Sequence, residues 1–236
     1  MHPQLRGRTA AAAVALALVL AAWNNVIVIR LPGYPGSYVA GNVIAAGVLL
    51  AAARAGGLSW QELGLARSRL PAGARWGLVC VALVALAYAA ALMVPPVRPL
   101  LGDERVAGLD GAELAYDVLV RIPLGTVLWE ELAFRGVLLA VLARLLPRRT
   151  AVAVGAAVFG VWHVRPTLSA VMINNLDGGP VLVGLAVLLG CLATTAAGVV
   201  LTWLRLRSGS LLAPLLLHLA TNSLGALTVA AAVRLD

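Results

Sequence analysis

Long apolar stretches of roughly the ~20 residues needed to cross a ~30 Å hydrocarbon core recur along this chain, separated by Pro/Gly turns or arginines. The first runs from about Thr9 to Ile29 and is interrupted only by Asn24 and Asn25. It exceeds the ~7–15 apolar residues of a signal-peptide core and leads into further spans, so it reads as an uncleaved first helix. The segment Arg30-Leu31-Pro32-Gly33-Tyr34-Pro35-Gly36 is a tight connection, and a second span from about Ser37 to Ala53 completes a helical hairpin. Between Arg54 and Arg75 the pattern turns polar. There Ser59 and Glu62 have capping-box spacing, Leu58 and Leu63 are placed as a hydrophobic staple, and a short interfacial helix is predicted with Trp60 at headgroup level. A third span, about Trp76 to Val94, is closed by Pro95-Pro96, and an acidic loop with Asp103, Glu104 and Asp110 follows. From Gly111 to Leu146 the pattern is helical apart from Pro123. A run of about 36 residues at 1.5 Å each would reach about 54 Å, so a bend near Pro123 or Gly136, or a break, is expected. The remaining spans are about Ala151 to Val164, Pro180 to Leu204 and Leu211 to Val233. The fold class is therefore all-α, a polytopic transmembrane helical bundle of about seven spans, organised as one membrane domain over residues 1–236.

Composition agrees with this pattern. The chain is 61% hydrophobic and only 12% charged, with a mean hydropathy of +0.95, against roughly 25% charged residues in soluble domains. A net charge of +8, all of it from arginine, raises nucleic acid as a partner. The arginine positions turn that reading aside. Arg6, Arg8, Arg54, Arg67, Arg69, Arg75, Arg144, Arg148, Arg149, Arg205 and Arg207, eleven in all, fall at one set of span ends, and Arg30, Arg98, Arg105, Arg165 and Arg234, five in all, at the other. Under the positive-inside rule the N-terminus is cytoplasmic and the C-terminus external. Membrane lipid, not nucleic acid, is the implied surroundings, and an alanine-, glycine- and arginine-rich chain without lysine points to a GC-rich bacterium and its plasma membrane. Cys80 and Cys191 fall inside spans without metal spacing and read as small buried hydrophobes.

Within these spans a few polar residues stand out. Trp129-Glu130-Glu131-Leu132-Ala133-Phe134-Arg135 sets two carboxylates and an arginine in an apolar run, with Glu131 and Arg135 on one helix face and Glu130 about 100° away. Ionisable groups at bilayer depth face the protein interior or a wet cavity and are functional by default. His163 shares a face with Phe159, and His218 with Asn222; the third histidine, His2, lies in the basic tail. At ~1.5 Å per residue from the arginine-rich end, Glu130 lies about 24 Å deep, His163 about 20 Å, His218 about 12 Å and Asn222 about 18 Å. These depths allow one shared site near mid-membrane.

A carboxylate, two imidazoles and an amide supply a general base or zinc ligand for water together with donors for an oxyanion, so hydrolysis of an acyl bond is the reaction class they fit. No Gly-x-Ser-x-Gly, His-Glu-x-x-His or phosphate-loop motif competes, and without lysine there is no Ser/Lys dyad. Other uses of the same residues are helix packing in a non-enzymatic scaffold or immunity-type protein, bis-histidine haem ligation through His163 and His218, and proton coupling in a transporter. Haem ligation leaves Glu130, Glu131 and Asn222 without roles, and no inverted repeat supports a transporter.

The three motifs Glu130-Glu131-x-x-x-Arg135, Phe159-x-x-x-His163 and His218-x-x-x-Asn222, with the lead-in Gly209-Ser210-Leu211-Leu212-Ala213-Pro214, resemble the CPBP family of CAAX-protease and bacteriocin-processing membrane proteins, which includes the Rce1-type prenyl-protein endopeptidases. The resemblance covers residues 111–233 as a catalytic core and leaves residues 1–110 as additional helices and an interfacial segment. It implies an all-helical fold with an intramembrane cavity and endopeptidase action on a membrane-associated protein or peptide. Glu130 would be the catalytic carboxylate, His163 its partner in activating water, and His218 and Asn222 the oxyanion donors. Glu131 and Arg135 would brace the helix while Phe159 packs beside His163. The resemblance admits both a metal-free glutamic mechanism and a zinc mechanism, in which Glu130, His163 and His218 would be the ligands.

Overall fold

The computed structural model describes residues 3–175 and 178–235, which leaves His2 outside the described residues, and every regular element among these is helical. The helices are α1 (residues 3–30), α2 (Tyr38–Ala55), α3 (Arg67–Met93), α4 (residues 111–143), the kinked pair α5 (Arg148–Trp162) and α6 (Val164–Ile173), α7 (Pro180–Ser208) and α8 (Leu212–Leu235). Six of these units are long and apolar enough to cross a membrane, counting α5 with α6 as one. The remaining one, α4, has the length but carries Glu113, Asp117, Arg121, Glu130, Glu131 and Arg135. A helix so charged is costly beside lipid, and the fold removes the problem by enclosure: every residue from 129 to 140 is buried.

Around α4 the other helices pack by close backbone approach, as small residues allow in membranes. α7 lies against α5, where a Cβ on Gly160 would sit 2.0 Å from Thr195 Oγ1 and 2.9 Å from the Cys191 carbonyl oxygen. α3 and α8 pack together, α2 lines the first half of α4, and α1 runs beside α4 and α5. Cys80 and Cys191 are free thiols and half-buried, not fully enclosed, because little of α3 and α7 is covered by the rest of the bundle.

Three local expectations are corrected. First, α4 does not break at Pro123 or Gly136. It absorbs the proline within a π-helical stretch, Asp117–Leu128, and a second such stretch covers Glu131–Leu138. In the wider i→i+5 register, Pro123 leaves the Val118 carbonyl without a donor, and the Ser223 hydroxyl on α8 supplies one at 3.3 Å. The Gly125 carbonyl is satisfied by the Asn42 amide at 2.7 Å, and Trp23 Nε1 donates to Asn42 Oδ1 at 2.8 Å. Asn42 is fully buried, as a polar group with these partners can be.

Second, the interfacial helix expected from Ser59 lasts one turn. Its capping bonds form, Ser59 N–H to Glu62 Oε2 at 2.7 Å and Glu62 N–H to Ser59 Oγ at 3.2 Å, but Gly64 at φ +76° ends it. Arg205 fills the space over Gly64, and its guanidinium donates to the Glu62 carbonyl at 2.9 Å. Leu58 and Leu63, the expected staple, are buried against Val137 and Ala140 of α4. Trp60 is exposed with the Arg54 guanidinium over its ring at 4.5 Å.

Third, the fifth span does not end at Val164. Pro166 has no N–H to offer the Trp162 carbonyl, so helical geometry lapses at His163 and resumes as α6. Arg165, expected in an end loop, therefore lies within the span. Asn25 of α1 fastens the break: its amide donates to the Val161 carbonyl at 2.8 Å, and its Oδ1 accepts from the Arg165 N–H at 2.8 Å.

From the richer set, Arg54, Arg144 and Arg205 gather on the segment that holds Trp60 and Glu62, with Arg144 pairing with Glu62 at 2.7 Å, and Arg69 abuts Gly209. At the other end Arg98 donates to the Leu235 carbonyl at 3.3 Å and Arg105 pairs with Asp103. With this segregation, reporter fusions after Arg75 and after Arg149 are expected to read cytoplasmic; an external reading at either position reverses the orientation.

Candidate active site

The local fold delivers each side chain of the constellation to one place. Glu130 sits between the two π stretches of α4, His163 at the α5–α6 break and His218 on α8, just ahead of its π turn Ala220–Leu224. His163 Nε2 and His218 Nε2 each lie 3.9 Å from Glu130 Oε2, while the Glu130 side chain is only 3% exposed. The other oxygen, Oε1, accepts from Trp162 Nε1 at 2.9 Å, but Oε2 is buried with no hydrogen-bond partner among the described residues. A separation of 3.9 Å is too long for a direct bond and leaves room for a bridging water.

Each imidazole is also held from behind. His163 Nδ1 is 2.8 Å from the Phe159 carbonyl oxygen, and His218 Nδ1 is 2.9 Å from Glu131 Oε1. With acceptors at both Nδ1 positions, the hydrogen-bond pattern assigns the Nδ1–H tautomer and turns both Nε2 atoms toward Glu130. Glu131 Oε1 accepts in addition from Arg135 Nη1 at 3.0 Å, in an ion pair whose partners are 0% and 1% exposed. The Arg135 guanidinium lies 4.0 Å from the Phe159 ring centroid, and that ring meets His163 edge-on at 4.5 Å. Phe159 thus separates the buried cation from the imidazole.

Glu130 and His163 form the floor of a cavity of about 880 Å³, and Asn222 lines the same cavity one turn beyond His218. The structure therefore sets His163 and His218 on either side of Glu130 Oε2, although His218 itself is not among the residues that line the cavity. It gives the Asn222 amide no hydrogen bond to any of the three.

Residues 113–224, a little under half of the chain, match a protein-family model described as type II CAAX prenyl endopeptidase Rce1-like. The chain carries an Rce1-like domain. Glu130, Glu131, Arg135, Phe159, His163, His218 and Asn222 all fall inside that match, and the family is one of peptidases. No curated protein and no solved structure matches the chain.

Several side chains that shape the Rce1-like site carry no motif. Trp162 orients the Glu130 carboxylate, and the rings of Trp129 and Phe134 pack on Trp162, with Trp23 behind Trp129 and the Trp129 and Trp162 centroids 6.2 Å apart. Asn25 and Asn42 lie outside the domain yet secure the α5–α6 break and α4. Their only sequence signal was an asparagine within an apolar run, which marks a buried hydrogen-bonding duty without naming the partner.

The Glu131–Arg135 pair sets a stability expectation. Removing one member of a buried ion pair strands the other and costs about 3–5 kcal/mol. Arg135→Ala should lower folded abundance in the membrane along with any activity; a fully stable variant that loses turnover alone would make Arg135 a direct participant.

Proposed function

We propose that this protein is an intramembrane endopeptidase that hydrolyses a peptide bond of a membrane-associated protein or peptide. The observation that carries the reading is the unpartnered Glu130 Oε2, buried at a cavity floor with two oriented imidazole Nε2 atoms at 3.9 Å. Buried carboxylates are normally neutralised by donors. One left bare toward a cavity, with its second oxygen fixed by Trp162, is arranged to take a proton.

In this reading Glu130 Oε2 removes a proton from a water held between it and His163 Nε2, and the hydroxide attacks the scissile carbonyl carbon. His163 keeps its orientation through the Phe159 carbonyl. In the charged form of the His218 ring, Nδ1–H is spent on Glu131 and Nε2–H donates to the oxyanion, with the Asn222 amide as second donor. The C–N bond then breaks as Glu130 returns its proton to the leaving amine, yielding a new carboxylate and a new amino terminus. Glu131 and Arg135 touch no substrate atom in this scheme; they hold His218 and α4 in place.

Zinc would draw on the same donors, and both Nδ1 atoms are committed to acceptors, as is usual behind metal-bound histidines; as they stand, no three His, Cys, Asp or Glu side chains among the described residues are grouped closely enough to hold an ion. Glu130, His163 and His218 would be the ligands, and the ion would supply a bound water of lowered pKa. Chelation separates the two cases: exhaustive chelation abolishes cleavage and zinc restores it if the metal acts, whereas a glutamic mechanism is indifferent.

The test is proteomics of membrane peptides from cells carrying the wild-type protein or Glu130→Gln. Glu130→Gln keeps shape and hydrogen bonding but removes the base, so cleavage should fall by about 10²–10⁴-fold in a protein that stays folded. The loss should exceed that of Asn222→Ala, since one oxyanion donor is worth about 10²–10³ in rate. Unchanged cleavage of an identified substrate in both Glu130→Gln and His163→Ala would return the constellation to a packing role in a non-enzymatic scaffold.

A further inference from the structure

From its floor at Glu130 and His163 the cavity rises along the N-terminal half of α4, past Thr126 and Ile122 to Arg121 and Asp117. On the opposite wall it follows α6 from Arg165 through Ser169 to Ile173, and it reaches the connection after α3 at Leu101 to Val106. Every one of these paths runs to the arginine-poor end of the bundle. The segment 58–65 closes the other end: Leu58 and Leu63 are buried beneath α4, and Arg205 and Arg144 tie the segment down through bonds to the carbonyl and carboxylate of Glu62. None of its residues lines the cavity.

The two ends differ strongly in charge. Among the described residues the closed end holds the eleven arginines and one acid, Glu62, whereas the open end holds Arg30, Arg98, Arg105, Arg121 and Arg234 together with Asp103, Glu104, Asp110, Glu113 and Asp117. Arginine bias of this size in short loops sets membrane orientation. We infer that the cavity opens away from the cytoplasm, so that the site takes a segment of a membrane-associated protein or peptide presented from the extracytoplasmic face.

The mouth has the chemistry of an aqueous entrance. The Asp103–Arg105 pair stands at 2.5 Å with the arginine half-exposed, Arg121 and Asp117 face each other at 3.5 Å, and Tyr34 is exposed beside them. Charged pairs at a rim cost little where water reaches them and much where lipid does. An entering chain therefore meets polar groups first and the carboxylate last. A volume of about 880 Å³ lies within the ~300–1,000 Å³ typical of ligand sites. The nature of the substrate as a peptide rests on the endopeptidase reading; the direction of opening does not.

The experiment uses the full chain in intact cells, with Cys80 and Cys191 replaced by alanine. Single cysteines are placed at two cavity positions, Ser169→Cys and Leu101→Cys, and at Gln61→Cys in the closed end; none of these residues belongs to the proposed machinery. A membrane-impermeant maleimide should label Ser169→Cys and Leu101→Cys without permeabilisation, and Gln61→Cys only after it. Labelling of Gln61→Cys in intact cells, with both cavity positions protected until permeabilisation, overturns the inference. Mapped cleavage sites on the cytoplasmic side of the membrane would overturn it as well, while leaving the endopeptidase reading intact. External labelling combined with no Glu130-dependent cleavage sinks the endopeptidase reading and leaves the direction of opening standing.

Discussion

Glu131 and Arg135 face each other across one helical turn at 3.0 Å with almost no access to solvent. Two charges taken out of water cost several kcal/mol each unless their mutual attraction and further bonds offset it, so such a pair dictates its surroundings. Here His218 takes the same Glu131 oxygen, the Phe159 face covers the guanidinium, and α4 is enclosed on every side from residue 129 to 140. The consequence is functional. A ring of helices that shields Glu131 and Arg135 also shields Glu130 one position away, and Glu130 lines the cavity on its own side. The pair thus links the placement of His218 to the burial of the carboxylate that faces it.

The first hundred or so residues take part in this arrangement although the family match begins at residue 113. π-helical turns leave carbonyls mismatched, and a kink at a proline leaves another. Water is scarce at that depth, so side chains from neighbouring helices must supply the missing partners. Asn42, itself held by Trp23, serves Gly125, Ser223 serves Val118, and Asn25 spans the break on either side of His163. α1 and α2 therefore add hydrogen-bond partners to the irregular helices of the Rce1-like domain. Irregularity is also what aims the site: His163 sits at the lapse between α5 and α6, and Glu130 between the two wide stretches of α4.

Orientation of the reacting groups is achieved from behind. Each of Glu130, His163 and His218 spends one polar atom on a fixed partner, Trp162, the Phe159 carbonyl and Glu131 respectively, and presents the other to the shared space. Such preorganisation removes the need to reorganise solvent when charge moves, which is where enzymes gain most of their electrostatic advantage. Aromatic side chains crowd the protein side of the site: Trp23, Trp129, Trp162, Phe134 and Phe159 form a chain of ring contacts.

The amino-acid sequence alone determined the features that depend on local spacing and on length. Apolar stretches of bilayer length define the spans, i,i+4 spacing pairs Glu131 with Arg135 and sets Phe159 beside His163, and the arginines sort to two ends. Even the capping bonds of Ser59 and Glu62 form, because they involve residues three apart. What tertiary structure decided is everything that needs a partner from far along the chain. The helix after Ser59 stops at one turn because Arg205 and α4 claim the space around Gly64 and Leu63, and α4 stays whole across Pro123 with a donor from α8 standing at the Val118 carbonyl. Trp162 becomes the ligand of Glu130, and Asn25 the clamp of the His163 break, only when α1, α4 and α5 are in contact. Hydrogen bonds inside a membrane are obligatory, but which distant group satisfies each one is a property of the packed bundle and leaves no mark in the spacing of residues.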